Sequence, residues 1–207
     1  MSEWVVVRHM VAIAGRVIDA QSGKPLGGAR VKISAGPSAF TSWLATRAKE
    51  RGQRWAVLDE RPDQTRSRGD GHFHFMDLPD GAYTLTATMP ESGSRFGSAA
   101  GTATVSRDAQ GHITPGTMEI HLPPTTVKGV ITGVDDAPVV MAEVRMAGSG
   151  ERVFSDGEGR YLLTRLEAGA RRVEITARGY QKATRTAGLN AAGAVLTVDV
   201  SLVPPTP

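Results

Sequence analysis

The sequence predicts an all-β protein of two tandem antiparallel β-sandwiches, the first carrying a short helical insertion. Three features of the chain lead there. An acidic-Gly turn that opens an alternating strand, followed by a Leu and a second Gly, occurs once from Asp70 to Gly81 and again from Glu158 to Gly169. Short segments of apolar alternation recur between turn residues along the whole length. The composition agrees: 24 Gly and 12 Pro in 207 residues suit many short strands and tight turns, and 40% apolar with only 5% aromatic residues makes two modest, aliphatic cores.

Taken in order, residues 11–19 read as a first strand and 21–25 as its turn. Residues 29–33 alternate small or apolar with basic side chains, as a half-exposed strand does. In 72–75 both Phe fall on one face and both His on the other. Residues 83–88 repeat that pattern, and 117–122 close the first half with Met118, Ile120 and Leu122 inward. The second half closes the same way over 196–202. About seven short strands per half is a sandwich count.

The duplication extends beyond the turn. Residues 13–18 match 127–131, 25–33 match 138–146, and Tyr83 to Ala87 stand where Arg171 to Ile175 stand. The expected organisation is an N-terminal arm (1–10), a first sandwich (11–122) with an insertion at about 36–66, a linker (123–126), a second sandwich (127–203) and a Pro-rich tail (204–207). The first copy is longer by about 25 residues between Ile33 and Gly71. Within that surplus Phe40, Trp43, Leu44, Arg47 and Ala48 have helical spacing, with Ser38 placed to cap the helix and Gly52 to end it.

The motifs Gly-x-Val, Pro-Leu-x-Gly-Ala-x-Val (25–31), Asp-Gly-x-Phe-x-Phe (70–75) and Leu-Pro-x-Gly-x-Tyr-x-Leu (78–85) resemble the carboxypeptidase regulatory-like domain. The resemblance implies a transthyretin-like (prealbumin) fold, related to the Cna-B-type repeats of bacterial surface proteins. The second copy is more degenerate, with Arg171 in place of the expected Tyr, but keeps Gly179-Tyr180. Such modules serve as spacers, adhesive units and accessory domains, so the resemblance speaks for fold more than for function. Proteins that look like this also occur beside phage-tail-like contractile injection systems.

Catalytic relatives of the fold leave no trace here. The chain ends Val203-Pro204-Pro205-Thr206-Pro207, without the Tyr-Arg-Gly-Ser-type tail of hydroxyisourate hydrolases, and no His-x-x-Glu pair of a zinc carboxypeptidase is present. Asn190 is the only asparagine and lies in a loop, which argues against a Lys–Asn isopeptide crosslink. Without cysteine there is no disulfide framework and no thiolate chemistry. No nucleophile–base or metal constellation stands out, so no enzyme and no cofactor are expected.

Residues 1–10 do not read as a secretory signal, and no stretch approaches the ~18 apolar residues of a membrane span. The expectation is cytoplasmic synthesis, with a place in a released particle compatible with it. A net charge of +3 with scattered Arg argues against nucleic acid.

The candidate partner-binding residues are Phe40, Trp43, Leu44, Arg47 and Trp55 in the insertion, together with Trp4, because interface anchors are rich in Trp and Arg. Trp4 opens the run Trp4-Val5-Val6-Val7, which suits an added edge strand in its own chain or in a partner. His72 and His74 share a strand face and are weak metal candidates beside Asp70 and Asp77; the bland reading is a polar outer face. Arg68-Gly69-Asp70 and Asp156-Gly157-Glu158-Gly159 read as turns rather than as an integrin motif or a calcium loop. The functional expectation is a non-catalytic structural or adaptor protein with protein partners, an accessory subunit of a larger assembly such as a contractile injection particle. The competing reading is a glycan- or ligand-binding surface module.

Overall fold

The computed structural model describes residues 9–58 and 61–205. The chain divides into two compact units, one of residues up to Glu91 plus Ser98–Leu122, the other of Ser92–Gly97 plus the chain from Pro123 onward.

Unit 1 contains β1 (Val11–Asp19), β2 (Arg30–Ala35), α1 (Ser38–Arg51), α2 (Gln53–Ala56), β3 (Gln64–Arg66), β4 (His72–Met76), β5 (Gly81–Thr88), β6 (Ala99–Arg107), β7 (Ile113–Thr114) and β8 (Gly116–Leu122). One sheet runs β4-β1-β8 and the other β3-β2-β5-β6-β7. Their inner faces meet through Ile13, Val17, Val31, Phe73, Phe75, Leu85 and Ile120, all buried. The alternation read from the sequence is the reason: Phe73 and Phe75 are buried while His72 between them and the turn is exposed. All pairings are antiparallel except β1 with β8, which runs parallel from Ile13↔Gly116 to Asp19↔Leu122.

Unit 2 repeats the plan with β9 (Thr126–Thr132), β10 (Glu143–Met146), β11 (Arg152–Phe154), β12 (Arg160–Thr164), β13 (Gly169–Thr176), β14 (Ala183–Leu189), β15 (Val195–Thr197) and β16 (Val200–Ser201). Its sheets are β11-β10-β13-β14 and β12-β9-β15, with β16 also on β9 and both parallel to it. The continuous strand expected over 196–202 is split at Val198-Asp199. There the Asp199 carboxylate accepts the Val130 N–H at 2.8 Å, replacing a ladder bond with a side chain.

The two copies agree in detail that motif matching does not reveal. Ser67 and Ser155 are buried at equivalent places. Each hydroxyl donates to a carbonyl (Leu26 or Val139, 2.6 Å) and accepts a backbone N–H (Ala29 or Ala142, 2.9 Å). β3 pairs with β2 as β11 pairs with β10, so Gln64–Arg66 is framework. The last three residues of the insertion expected at about 36–66 thus have a counterpart strand in the second copy.

Ser92–Gly97 lies between β5 and β6 in sequence yet belongs to unit 2. Ser94 Oγ donates to Glu167 Oε2 at 2.6 Å and Arg95 Nε to Glu167 Oε1 at 2.9 Å. Thr125 N–H donates to the Arg95 carbonyl, and Thr125 Oγ1 donates to the Ser94 carbonyl at 2.6 Å. The Ser94 hydroxyl, its N–H and Arg95 together hold the Glu167 carboxyl below its ordinary range.

Candidate functional site

Where the first copy is longer than the second, unit 1 has a cleft of 970 Å³. One wall is α1, contributing Phe40 and Trp43; the others are β3, with Gln64 to Arg66, and β4 with the turn after it, with His72, His74 and Met76.

Helix α1 forms over Ser38–Arg51 as its spacing predicts, and ends where Gly52 donates its N–H to the Ala48 carbonyl at 3.0 Å. Ser38 does not cap it. The N-cap is Pro37, whose fixed φ suits helix entry, and no side chain accepts the first N–H groups. Phe40 is the one buried residue of the helix, its ring edge-on to Tyr83 at 5.7 Å between centroids. Burial pushes the Tyr83 phenol up to about 12, and its hydroxyl donates to the Pro79 carbonyl at 2.8 Å. Trp43, one turn on from Phe40, is 43% exposed. Arg47 lies 5.8 Å over the Trp43 ring and bonds Glu50.

The insertion is fastened at its far end by Arg61, which no sequence motif singled out. Its guanidinium forks onto Asp63 at 3.0 and 3.2 Å, donates to the Trp55 carbonyl, and sits 5.4 Å over the Trp55 ring. The only hint is the Arg61-x-Asp63 spacing, which also fits a surface turn.

Among the described residues β4 is the outer strand of its sheet, and its hydrogen-bonding phase is fixed by two bonds. Val17 N–H donates to the Gly71 carbonyl, and Arg68 N–H to the His72 carbonyl. In an antiparallel ladder this alternation turns Gly71, Phe73 and Phe75 toward β1 and the peptide groups of His72, His74 and Met76 outward. The His72 N–H and C=O are taken up by Asp70 and Arg68. Among the described residues the N–H and C=O of His74 have no partner, leaving an open strand edge in the cleft.

Asp77 stands at the lip. It takes a left-handed φ of 55°, accepts Met10 N–H on Oδ1 at 2.9 Å, and its carboxylate contacts His9 Nδ1. The His9 bond, then the Met10 N–H, hold the Asp77 carboxyl below its usual range.

The structure thus brings together Phe40, Trp43, His72 and His74. It leaves Leu44, Arg47 and Trp55 off the lining, and Trp4 lies outside the described residues. His72 Nδ1 is 3.3 Å from Asp70 Oδ2, and among the described residues no group of three or more His, Cys, Asp or Glu is placed to hold a metal.

A model of the carboxypeptidase regulatory-like domain matches residues 12–114 and again residues 126–203. The chain belongs to that family. Carboxypeptidase regulatory-like domains are thus present in tandem, with the helical insertion inside the first match. No curated protein matches the sequence. Among solved structures the chain is similar to the shaft pilin SpaA of Lactobacillus rhamnosus GG, at 11% identity over 95% of this chain and 99% of that one, TM-score 0.41. It is also similar to the Bacillus anthracis TIE protein, at 14% identity over 94% of this chain and 34% of that one, TM-score 0.36. A third likeness is to a cohesin–X-dockerin complex of Acetivibrio cellulolyticus, at 20% identity over 39% of this chain and 58% of that one, TM-score 0.32. The chain spans about a third of the length of the Bacillus anthracis protein. Among the described residues no helix is long and apolar enough to cross a membrane.

Proposed function

We propose that this tandem regulatory-like protein is a non-catalytic structural or adaptor module that docks an extended polypeptide segment in the cleft of its first unit. One observation carries the reading: a strand edge at His74 that is open among the described residues and an exposed Trp43 line one cleft, and Trp43 stands on a helix that the second copy lacks. Strand addition supplies affinity through the backbone, and the indole supplies the anchor that selects the segment. The setting that suits such a module is a larger assembly, with a phage-tail-like contractile injection particle as the instance we have in view.

Trp43→Ala tests this against the packing role of Phe40. In native lysates the unaltered protein is expected to migrate with a large particle by size exclusion and electron microscopy. Trp43→Ala is expected to be released from it, a loss of about 2 kcal/mol or about 30-fold in affinity, with an unchanged melting temperature. Phe40→Ala is expected instead to lower the melting temperature, since it empties a buried aromatic site. The reading fails if Trp43→Ala stays with the particle, or if the protein is found only as a free monomer that binds polysaccharide.

A further inference from the structure

We propose that the segment docked in this cleft is acidic, its Asp or Glu side chains held at a basic end formed by Arg30, Arg66 and Arg68; this rests on the docking reading of the cleft.

Register and turn geometry build the basic end. Arg30 of β2 stands directly opposite Arg66 of β3. Arg68 has its backbone fixed on both sides, its N–H donating to the His72 carbonyl and its carbonyl accepting from Gly71. Arg66 and Arg68 both line the cleft. Like charges set directly opposite in a ladder cost stability. Glu91 bonds Arg66. Among the described residues neither Arg30 nor Arg68 has an ion pair, and the buried Arg30 Nε has no hydrogen-bond partner. A donor removed from water without an acceptor is costly, and an incoming carboxylate relieves that cost.

The framework does not call for these cations. Ser67 and Ser155 occupy equivalent places, so Phe154 stands where Arg66 stands and Asp156 where Arg68 stands. In the β10–β11 ladder Glu143 opposes Phe154 as Arg30 opposes Arg66. The second copy closes the same turn, Asp156 N–H donating to the Arg160 carbonyl, with a carboxylate in place of the guanidinium. The three arginines therefore belong, with α1, to what is particular to the first copy.

The rest of the lining sets what accompanies the acid. Arg61 is engaged by Asp63, and Asp77 by His9 and Met10. Trp43 and Met76, 43% and 47% exposed, offer apolar surface. Along β4, Met76 lies ~13 Å from His72 at the Arg68 end. An extended segment following that strand carries its carboxylates about four residues from an apolar side chain. A guanidinium holds a carboxylate through two parallel N–H bonds, which fixes the segment's register as well as its charge.

Random linear peptides displayed on phage, selected on the full-length protein and counter-selected on Trp43→Ala, test this. The peptides that need Trp43 are expected to be rich in Asp and Glu and poor in Lys and Arg. The variant Arg30→Glu/Arg68→Asp copies Glu143 and Asp156 of the second sandwich, so its melting temperature is expected to match the native one. In titrations of a selected peptide that variant is expected to bind about 10-fold more weakly. The Asn/Gln analogue of the peptide is expected to bind both proteins equally. Trp43-dependent peptides that are neutral or basic, or an acidic one that binds the variant as tightly as the native protein, would overturn the proposal and leave docking intact. If no peptide depends on Trp43, the docking reading itself fails and takes the proposal with it. Binding of polygalacturonate in place of any peptide gives the basic end to an acidic glycan, which overturns the proposal too.

Discussion

At Gly71 the backbone has φ +81°, and a Cβ there would stand 2.6 Å from the Val17 carbonyl oxygen; at Gly159 the values are +73° and 2.4 Å from the Ile131 oxygen. Both glycines also place a carbonyl that accepts an N–H of the neighbouring strand, from Val17 or Ile131. Conformation and space therefore forbid a side chain at either. Gly71→Ala and Gly159→Ala are each expected to cost roughly 2–4 kcal/mol in urea unfolding. Gly157→Ala, in the same turn as Gly159 but with nothing within 4 Å of its Cβ position, serves as the near-neutral control. The acidic-Gly repeat is thus a steric requirement for opening β4 and β12 from a tight turn. Ser67 and Ser155 do similar work out of sight, and a lone serine gives no pattern by which a sequence reader would find them.

Elements were legible where periodicity and punctuation agree. Helix α1 has the bounds its spacing predicts because Gly52 stops it, and β4 buries its two Phe because alternation leaves no other choice. The same periodicity misleads about which face is used: of Phe40, Trp43, Leu44, Arg47 and Ala48, only Phe40 is buried. The helix sinks a single side chain fully, and burial depends on the partner surface, which spacing does not encode. The cleft was half visible, as an insertion and a His-bearing strand separately, since its union depends on the outward phase of β4 and on Arg61. The Asp77 anchor at the start of β1 has a pH signature. Its carboxyl is held low, so its contribution is complete above the ordinary carboxylate range and is lost as pH falls through and below that range. The stability difference between the native protein and Asp77→Asn, measured by urea unfolding, is therefore expected to hold from pH 7 to 5 and to shrink below pH 4.

For the whole molecule, the division into units does not follow the order of the chain. Unit 2 includes Ser92–Gly97, whose Ser94 and Arg95 engage Glu167 and whose carbonyls accept from Thr125. Nothing in residues 92–97 marks this in the sequence, for the segment is short and without periodicity. A fragment of residues 123–207 lacks it and is expected to unfold at lower denaturant concentration than unit 2 in the intact chain, as read by hydrogen exchange at the β9 and β13 amides; equal protection would show the segment to be dispensable. Duplicated domains are ordinarily units of exchange, copied, lost or shuffled by cutting at the linker. Here the loop of one copy has become part of the other, so a cut at Pro123 would deliver a module missing one of its own pieces.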